Sequence, residues 1–590
     1  MTETPGPTAP VDPPIRYLDP STVRRRPGRG GVESTWYVAD RLIVHGEVPP
    51  EMWARSRRIP DPGAPGITLY EVEPAESPAT RVEAESRRQG CRIRLGVREG
   101  ADETVQSLYL LTERPDVQPD AWELREADLD DESTAWRLSL DHVMTTQPFT
   151  SHPFTSHPFT SHPFTSHPFT SHPFTSHPFT SHPFTSHPFT SHPFTSHPFS
   201  GMAEYAVPGR GGRTPVAWQG GRPARTPHDD ERRMPDGTPR PVVAVVDTGL
   251  GSHPWFGTYS LQPGGSTGNG VVLRDVLHPD GRPIGTYPVP GQGQDDAEIG
   301  GTSAAPLTGP LDPVAGHGTF IAGIVHQICP DARILPVRAV GGTGVGIESE
   351  VIESLERLVA YQRAALEGDG EPVDVVVISM GYYHERPEDL EIDHPLRRVL
   401  DALGESGAAV VAASGNDGST RPEYPAAFAP AGDRRAQPPV TVPEERERRS
   451  TPLPAVLAVG ALNPDGTTAL FSNDGEWVTH MRPGAAVVST VPTTLDGPLT
   501  PSVRLKERLG DGHRATIDPE GFDGGFASWS GTSFAAPVVA AEIAQHLLDA
   551  RSGAGGRRGR AGRRLDDRAR RREDVWGAIA QVTGGPAGAR

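Results

Sequence analysis

The sequence predicts an α/β fold built on a mostly parallel sheet, and three kinds of segment carry that prediction. The run VVAVVD ending at Asp247 is continuously apolar and β-branched, the pattern of a strand buried on both faces of a parallel sheet. VVVISMG and GAAVVAASGNDGS repeat the form of an apolar strand that breaks off into a Gly-containing turn. Helix-like runs alternate with these strands: HGTFIAGIVHQI, the amphipathic ESEVIESLERLVAYQRAA, and FAAPVVAAEIAQHLL. Ligand sites of open α/β sheets gather at the C-terminal strand edge, where Asp247 falls.

The remaining elements follow in chain order. Residues 1–29 are expected to be disordered. Residues 30–146 read as a small α+β domain, with TWYVADRLIVHG, ITLYEVE, CRIRLGV and SLYLLT as strands and PEMWARSR and PDAWELREA as helices. Over 147–200 a pentapeptide runs eleven times, first as QPFTS, nine times as HPFTS and last as HPFSG. A proline every fifth residue excludes a regular helix and interior strands, leaving polyproline II or coil. Successive histidines of a polyproline II segment stand about 15 Å apart, too dispersed to share one ion, so a variable linker is favoured over metal or partner binding. Residues 201–240, rich in Gly, Pro and Arg, continue the linker. The α/β domain occupies 241–550, with long loops at 257–315, 431–452 and 492–524. Residues 551–590 form a tail with ten arginines between Arg551 and Arg572, then the short apolar VWGAIAQV. Such a charge run is expected to be solvated, with binding to an acidic surface or nucleic acid as the alternative.

Composition narrows the function classes. The 66 Gly and 64 Pro of the 590 residues imply much irregular structure, and the net charge of −19 argues against a general nucleic-acid binder. No stretch of 18 apolar residues occurs, which argues against a membrane span, and the N-terminus has neither a basic n-region nor an apolar h-region, so a cytoplasmic protein is expected. Cys91 and Cys329 lie in different segments and read as free thiols.

The chemistry lies in short segments met in the order Asp, His, Ser. A serine hydroxyl is a poor nucleophile at neutral pH; it needs an imidazole to take its proton and a carboxylate to hold that imidazole in the right tautomer. Asp247 lies in VVDTGLGSHP, His317 between two glycines at the mouth of a helix, and Ser533 after a Gly-Thr turn at the start of another. The backbone N–H of Ser533 is one of the unpaired donors of that helix start. Asn416, in ASGNDGS, supplies an amide able to donate to a developing oxyanion. Taken singly, Asp247, His317 and Ser533 each read more readily as a cap or a turn residue; it is their joint order that carries the reading. GTSAAP around Ser303 copies the serine motif but precedes the histidine and lacks the apolar helical run, so Ser303 reads as a loop serine.

With these four motifs in this order, residues 241–550 resemble the subtilisin-like serine proteases. The resemblance implies a subtilisin-like three-layer domain and a serine endopeptidase acting on polypeptides through an acyl-enzyme. It assigns nucleophile to Ser533, general base to His317, orienting carboxylate to Asp247 and oxyanion donor to Asn416. It further implies a substrate groove between the Gly-rich segment at Gly344 and Ser379, Met380 and Gly381, with Ala413, Ser414 and Gly415 walling the pocket for the residue before the scissile bond. Met380 and Tyr382 predict an apolar pocket for large hydrophobic residues. No cofactor is required; calcium is frequent in the family, but no oxygen-ligand set can be matched here. The alternative is an inactive binding or scaffold module on the same fold. DRLIVHGE and RLSLDHVM resemble the opening and closing strands of the family's propeptide, which implies intramolecular inhibition; a partner-binding domain and a plain structural extension stay open.

Overall fold

The computed structural model describes residues 13–146 except 24–30, 60–66, 99–104, 113–117 and 132–135, and residues 212–584 except 259–269, most of 275–310, 369, 388–393, 433–439, 496–503, 507–512, 516–521 and 556–567. The pentapeptide repeat and Ser303 lie outside the described residues. The chain divides into two compact units.

One unit comprises Met1–Met144, Ile347–Ile352 and Tyr382–Arg398. Its antiparallel strands run in the order Arg137–Thr146, Thr35–His45, Val105–Thr112, Cys91–Arg98, Ile67–Val72 and Ser56–Arg58; Ile15–Leu18 also pairs antiparallel with Thr35–His45, which corrects the expectation of disorder through residue 29. Among the described residues three helices add to the core, Pro50–Trp53, Arg81–Arg88 and Ala121–Leu129. The second was not anticipated, although its sequence signal is present. Thr80 Oγ1 accepts the Glu83 N–H and the Glu83 carboxylate accepts the Ala79 N–H, the reciprocal caps that a Thr-x-x-Glu spacing provides.

A buried charge network completes this unit. His142 donates from Nδ1 to Glu348 Oε2 (2.6 Å) and from Nε2 to Glu385 Oε2 (2.8 Å), all three side chains being fully buried. Arg125 Nε lies 3.2 Å from Glu385 Oε1, and Arg386 Nη2 lies 3.1 Å from Glu126 Oε1. Ligand atoms of His142, His384 and Glu385 lie within 4.8 Å of one another. Yet both nitrogens of His142 already meet carboxylates and His384 Nδ1 accepts the Arg386 backbone N–H, so the cluster is held by protons and guanidinium groups.

Burial alone would push His142 down, but Glu348 and Glu385 outweigh it and raise it to about 9; burial pushes His384 down to about 3. A histidine raised in the folded state stabilises fully below its unfolded pKa of about 6.5, and that contribution is lost as pH climbs through about 9. A loss on the order of 3 kcal/mol is therefore expected between pH 6.5 and 10. Thermal unfolding at pH 6, 8 and 10 checks this. The wild type should weaken across the range and His142→Gln should not; equal pH dependence of the two proteins would refute it.

The other unit comprises Thr145–Gly346, Glu353–Gly381 and Val399–Arg590. Its six-stranded sheet runs Arg333–Arg338, Val242–Asp247, Val375–Ile378, Ala409–Ala413, Leu457–Leu462 and His480–Pro483, every neighbouring pair parallel. From the Val242–Asp247 strand the chain crosses first to one neighbour and then to the other, so the strand order reverses there, the position at which open α/β sheets place their ligand sites. The strands are apolar on both faces because helices cover them. His317–Ile328 and Thr532–Gly555 press Phe320, Ile324, Phe534, Val539 and Ile543 into the core, with the Phe320 and Phe534 rings 4.4 Å apart.

Two expectations are corrected here. Residues 212–240 are anchored to the domain at several points where a linker was expected, although most residues between 219 and 237 are exposed. Arg213 is fully buried and donates to the carbonyls of Pro313 (2.8 Å) and Asp312 (2.9 Å), Thr214–Pro215 pairs with Ala527–Ser528, and the Trp218 ring stacks on Phe526. Gly, Pro and Arg content suggested a linker because composition does not show which carbonyls a guanidinium will meet. Residues 568–584 are likewise a helix, not solvated tail: Val575, Trp576, Ile579 and Val582 form a stripe buried in the main core. Arg571 Nη2 donates to Val373 O (2.6 Å) and Asp374 Oδ1 (3.0 Å), Arg551 Nη2 donates to Asp374 Oδ1 (2.6 Å), and Asp374 Oδ2 accepts the N–H of Val242 at the start of the central strand. Burial opposes ionisation of Asp374, but the two guanidinium groups hold it below the usual carboxylate range.

Candidate active site

Asp247 ends its strand with its side chain fully buried and its Oδ1 accepting the Thr248 N–H (2.8 Å). His317 Nδ1–H donates to the same oxygen at 2.7 Å, which places the proton on Nδ1 and leaves Nε2 as the basic nitrogen. The helix start comes this close because residue 318 is glycine: a Cβ there would lie 2.1 Å from the Gly249 carbonyl. Glu298, fully buried, locks the arrangement. Its carboxylate accepts from Thr248 Oγ1 and from Thr319 Oγ1 (2.5 Å), and these hydroxyls in turn accept the N–H groups of Gly318 (2.9 Å) and Gly251 (2.8 Å). Glu298 escaped sequence reasoning because nothing local sets it apart from Asp295 and Asp296 in a long Gly/Pro-rich stretch.

Ser533 is the second residue of the Thr532–Gly555 helix. Pro537, four residues on, has no N–H for the Ser533 carbonyl; Ser379 Oγ donates to that carbonyl instead, at 3.2 Å. Thr532 donates from N (2.9 Å) and from Oγ1 (3.0 Å) to Asn416 Oδ1 and accepts the Gly415 N–H at 3.1 Å. The Asn416 oxygen is thereby used, and its Nδ2 is the end of the amide able to donate to another group. The His317 ring lies 5.3 Å from Phe534 and 5.5 Å from Trp529. The structure thus joins Asp247 to His317, and Asn416 to the residue before Ser533. It makes no hydrogen bond between Ser533 and His317: Ser533 Oγ and His317 Nε2 are both buried and without a partner, a separation that substrate-free sites commonly show.

The residues expected to form the groove border a segment of the chain itself. Thr146 donates its N–H to Gly344 O at 2.8 Å, and Thr145 and Thr146 pair antiparallel with Gly381 and Met380. Gly344 leaves room for this contact, since a Cβ there would lie 2.5 Å from Thr146 Oγ1. Ala413 closes its strand, and Ser414 Oγ donates to Asn473 O. Tyr382 does not line this wall; its ring stacks on His142, 4.4 Å between centroids. Glu423 was also missed. It is buried, accepts from Asn473 Nδ2 at 2.8 Å and sits against Gly381 and Gly415, a position that no local sequence signal announces.

Comparison with known proteins gives a consistent family. The Subtilase family model matches residues 239–553. The minor extracellular protease Epr of Bacillus subtilis (strain 168) is 30% identical over 207 residues, 33% of this chain and 26% of that protein. Subtilisin amylosacchariticus of Bacillus subtilis subsp. amylosacchariticus is 27% identical over 207 residues, 33% of this chain and 43% of that protein. An extracellular protease of Xanthomonas campestris pv. campestris is 24% identical over 322 residues, 51% of this chain and 43% of that protein. The matches span less than half the length of each of these relatives. Two of the three are extracellular by name, which overturns the expectation of a cytoplasmic protein. Among the described residues no helix is long and apolar enough to cross a membrane.

Proposed function

Because this chain belongs to the subtilase family, we propose that it is a serine endopeptidase that hydrolyses polypeptides through an acyl-enzyme. The observation that carries the reading is the buried His317–Asp247 hydrogen bond of 2.7 Å beside the helix start that bears Ser533. Ser533 Oγ attacks the scissile carbonyl while His317 Nε2 takes its proton, and Asp247 stabilises the imidazolium that forms. The oxyanion accepts hydrogen bonds from Asn416 Nδ2 and from the Ser533 N–H. His317 then passes its proton to the leaving amine, and water hydrolyses the ester by the same steps in reverse. Substrate binds as an extended strand between Gly344 and Met380–Gly381. The pairing of Thr145–Thr146 at this edge supports an inhibitory role for the chain segment that precedes the repeat.

A fluorophosphonate probe tests the reading: the full chain, or the chain after removal of residues 1–146, should gain one adduct on Ser533. No adduct in either form would refute it. Asn416→Ala should remain labelled but lose about 10²- to 10³-fold in turnover, the range known for the equivalent change in subtilisin, because only one oxyanion donor disappears. Unchanged turnover would remove Asn416 from the mechanism.

A further inference from the structure

Resting on that reading of the groove, we propose that Glu423 is the specificity-determining residue of the pocket for the side chain before the scissile bond, and that it selects arginine or lysine there. The two walls assigned to this pocket are Ser379–Gly381 and Ala413–Gly415, and the Glu423 carboxylate reaches both. A Cβ on Gly415 would fall 1.7 Å from Glu423 Oε2, and one on Gly381 would fall 2.6 Å from Oε1. Only glycine at both positions lets the carboxylate stand there; Gly415 also has a φ of 103°, which favours glycine.

The carboxylate is held in place. Asn473 Nδ2 donates to Glu423 Oε2 (2.8 Å) and to Ser414 O (2.9 Å), while Asn473 Oδ1 accepts the N–H groups of Asp417 (3.1 Å) and Ser419 (2.9 Å). The Glu423 carbonyl accepts the Ala427 N–H at 2.7 Å, fixing the backbone from which the side chain projects. The acid is therefore oriented by its neighbours before any substrate arrives. An apolar side chain entering here would return nothing to this buried charge. A guanidinium returns charge-assisted, bidentate hydrogen bonds, and an ammonium returns a point charge. This replaces the expectation of a pocket for large hydrophobic residues, which rested on Met380 and Tyr382.

The test is a set of fluorogenic peptides varied only at the residue before the cleaved bond, read alongside fluorophosphonate labelling. Wild type should cleave after Arg and Lys at least about tenfold faster in kcat/KM than after Phe or Leu. Glu423→Gln, similar in shape, should lose most of that ratio, with labelling of Ser533 still detectable. A wild type that labels normally but prefers Phe or Leu overturns the role of Glu423 and leaves the peptidase reading standing. A chain that neither labels nor cleaves overturns both. The wild-type profile decides even if the variant folds poorly, and retention of the Arg preference in a labelled Glu423→Gln protein would also refute the assignment.

Discussion

Ser533→Ala is expected to abolish fluorophosphonate labelling and to lower turnover by about 10⁶, the loss known for removal of the nucleophile in subtilisin itself. Stability should hardly move. Ser533 Oγ makes no hydrogen bond, so its removal orphans no donor or acceptor. The helix start stays anchored through groups the mutation spares, the Thr532–Asn416 bonds and the Ser379 hydroxyl on the Ser533 carbonyl. A melting curve that superimposes on the wild type, with no ester or peptide turnover, is the expected pair of results. Residual turnover near the wild-type value would move the nucleophile elsewhere.

Asp247→Asn is expected to cost about 10⁴ in turnover, the scale known for this change in serine proteases. The carboxylate oxygen accepts both the His317 Nδ1–H and the Thr248 N–H, so it defines which ring nitrogen carries the proton. An asparagine can turn its NH₂ toward the ring and leave the proton on the nitrogen that should be basic. Slow but measurable fluorophosphonate labelling distinguishes this variant from Ser533→Ala, since its nucleophile is intact. Wild-type labelling rates in Asp247→Asn would show that Asp247 does not orient the base.

What could be read from the sequence divides along the range of the forces involved. Strand Val242–Asp247 and helix Thr532–Gly555 were legible because each states its burial in its own residues, a β-branched run in one case and small apolar residues in the other. Asp247, His317, Asn416 and Ser533 could be named as candidates because each sits in a local motif whose turn chemistry is written beside it. Glu298, Glu423 and the His142–Glu348–Glu385 network were not: their partners lie 21, 50 and 206 or 243 residues away, and an isolated glutamate looks the same whether solvated or buried. The anchored stretch at 212–240 was hidden for a related reason. Its structure comes from arginine and tryptophan side chains finding distant carbonyls and rings, which neither periodicity nor propensity records.

The arginines on Asp374 set where this subtilase-family domain can be cut as a genetic part. The recognisable family match stops at 553, yet Arg571 lies beyond it and shares with Arg551 the acid whose other oxygen seats the first residue of the central strand. Excision or recombination at the edge of the match would leave a buried carboxylate with half its countercharge, directly under the strand that ends in Asp247. The heritable module is thus longer than its family signature, and a graft made to the signature alone would carry its fault into the floor of the sheet.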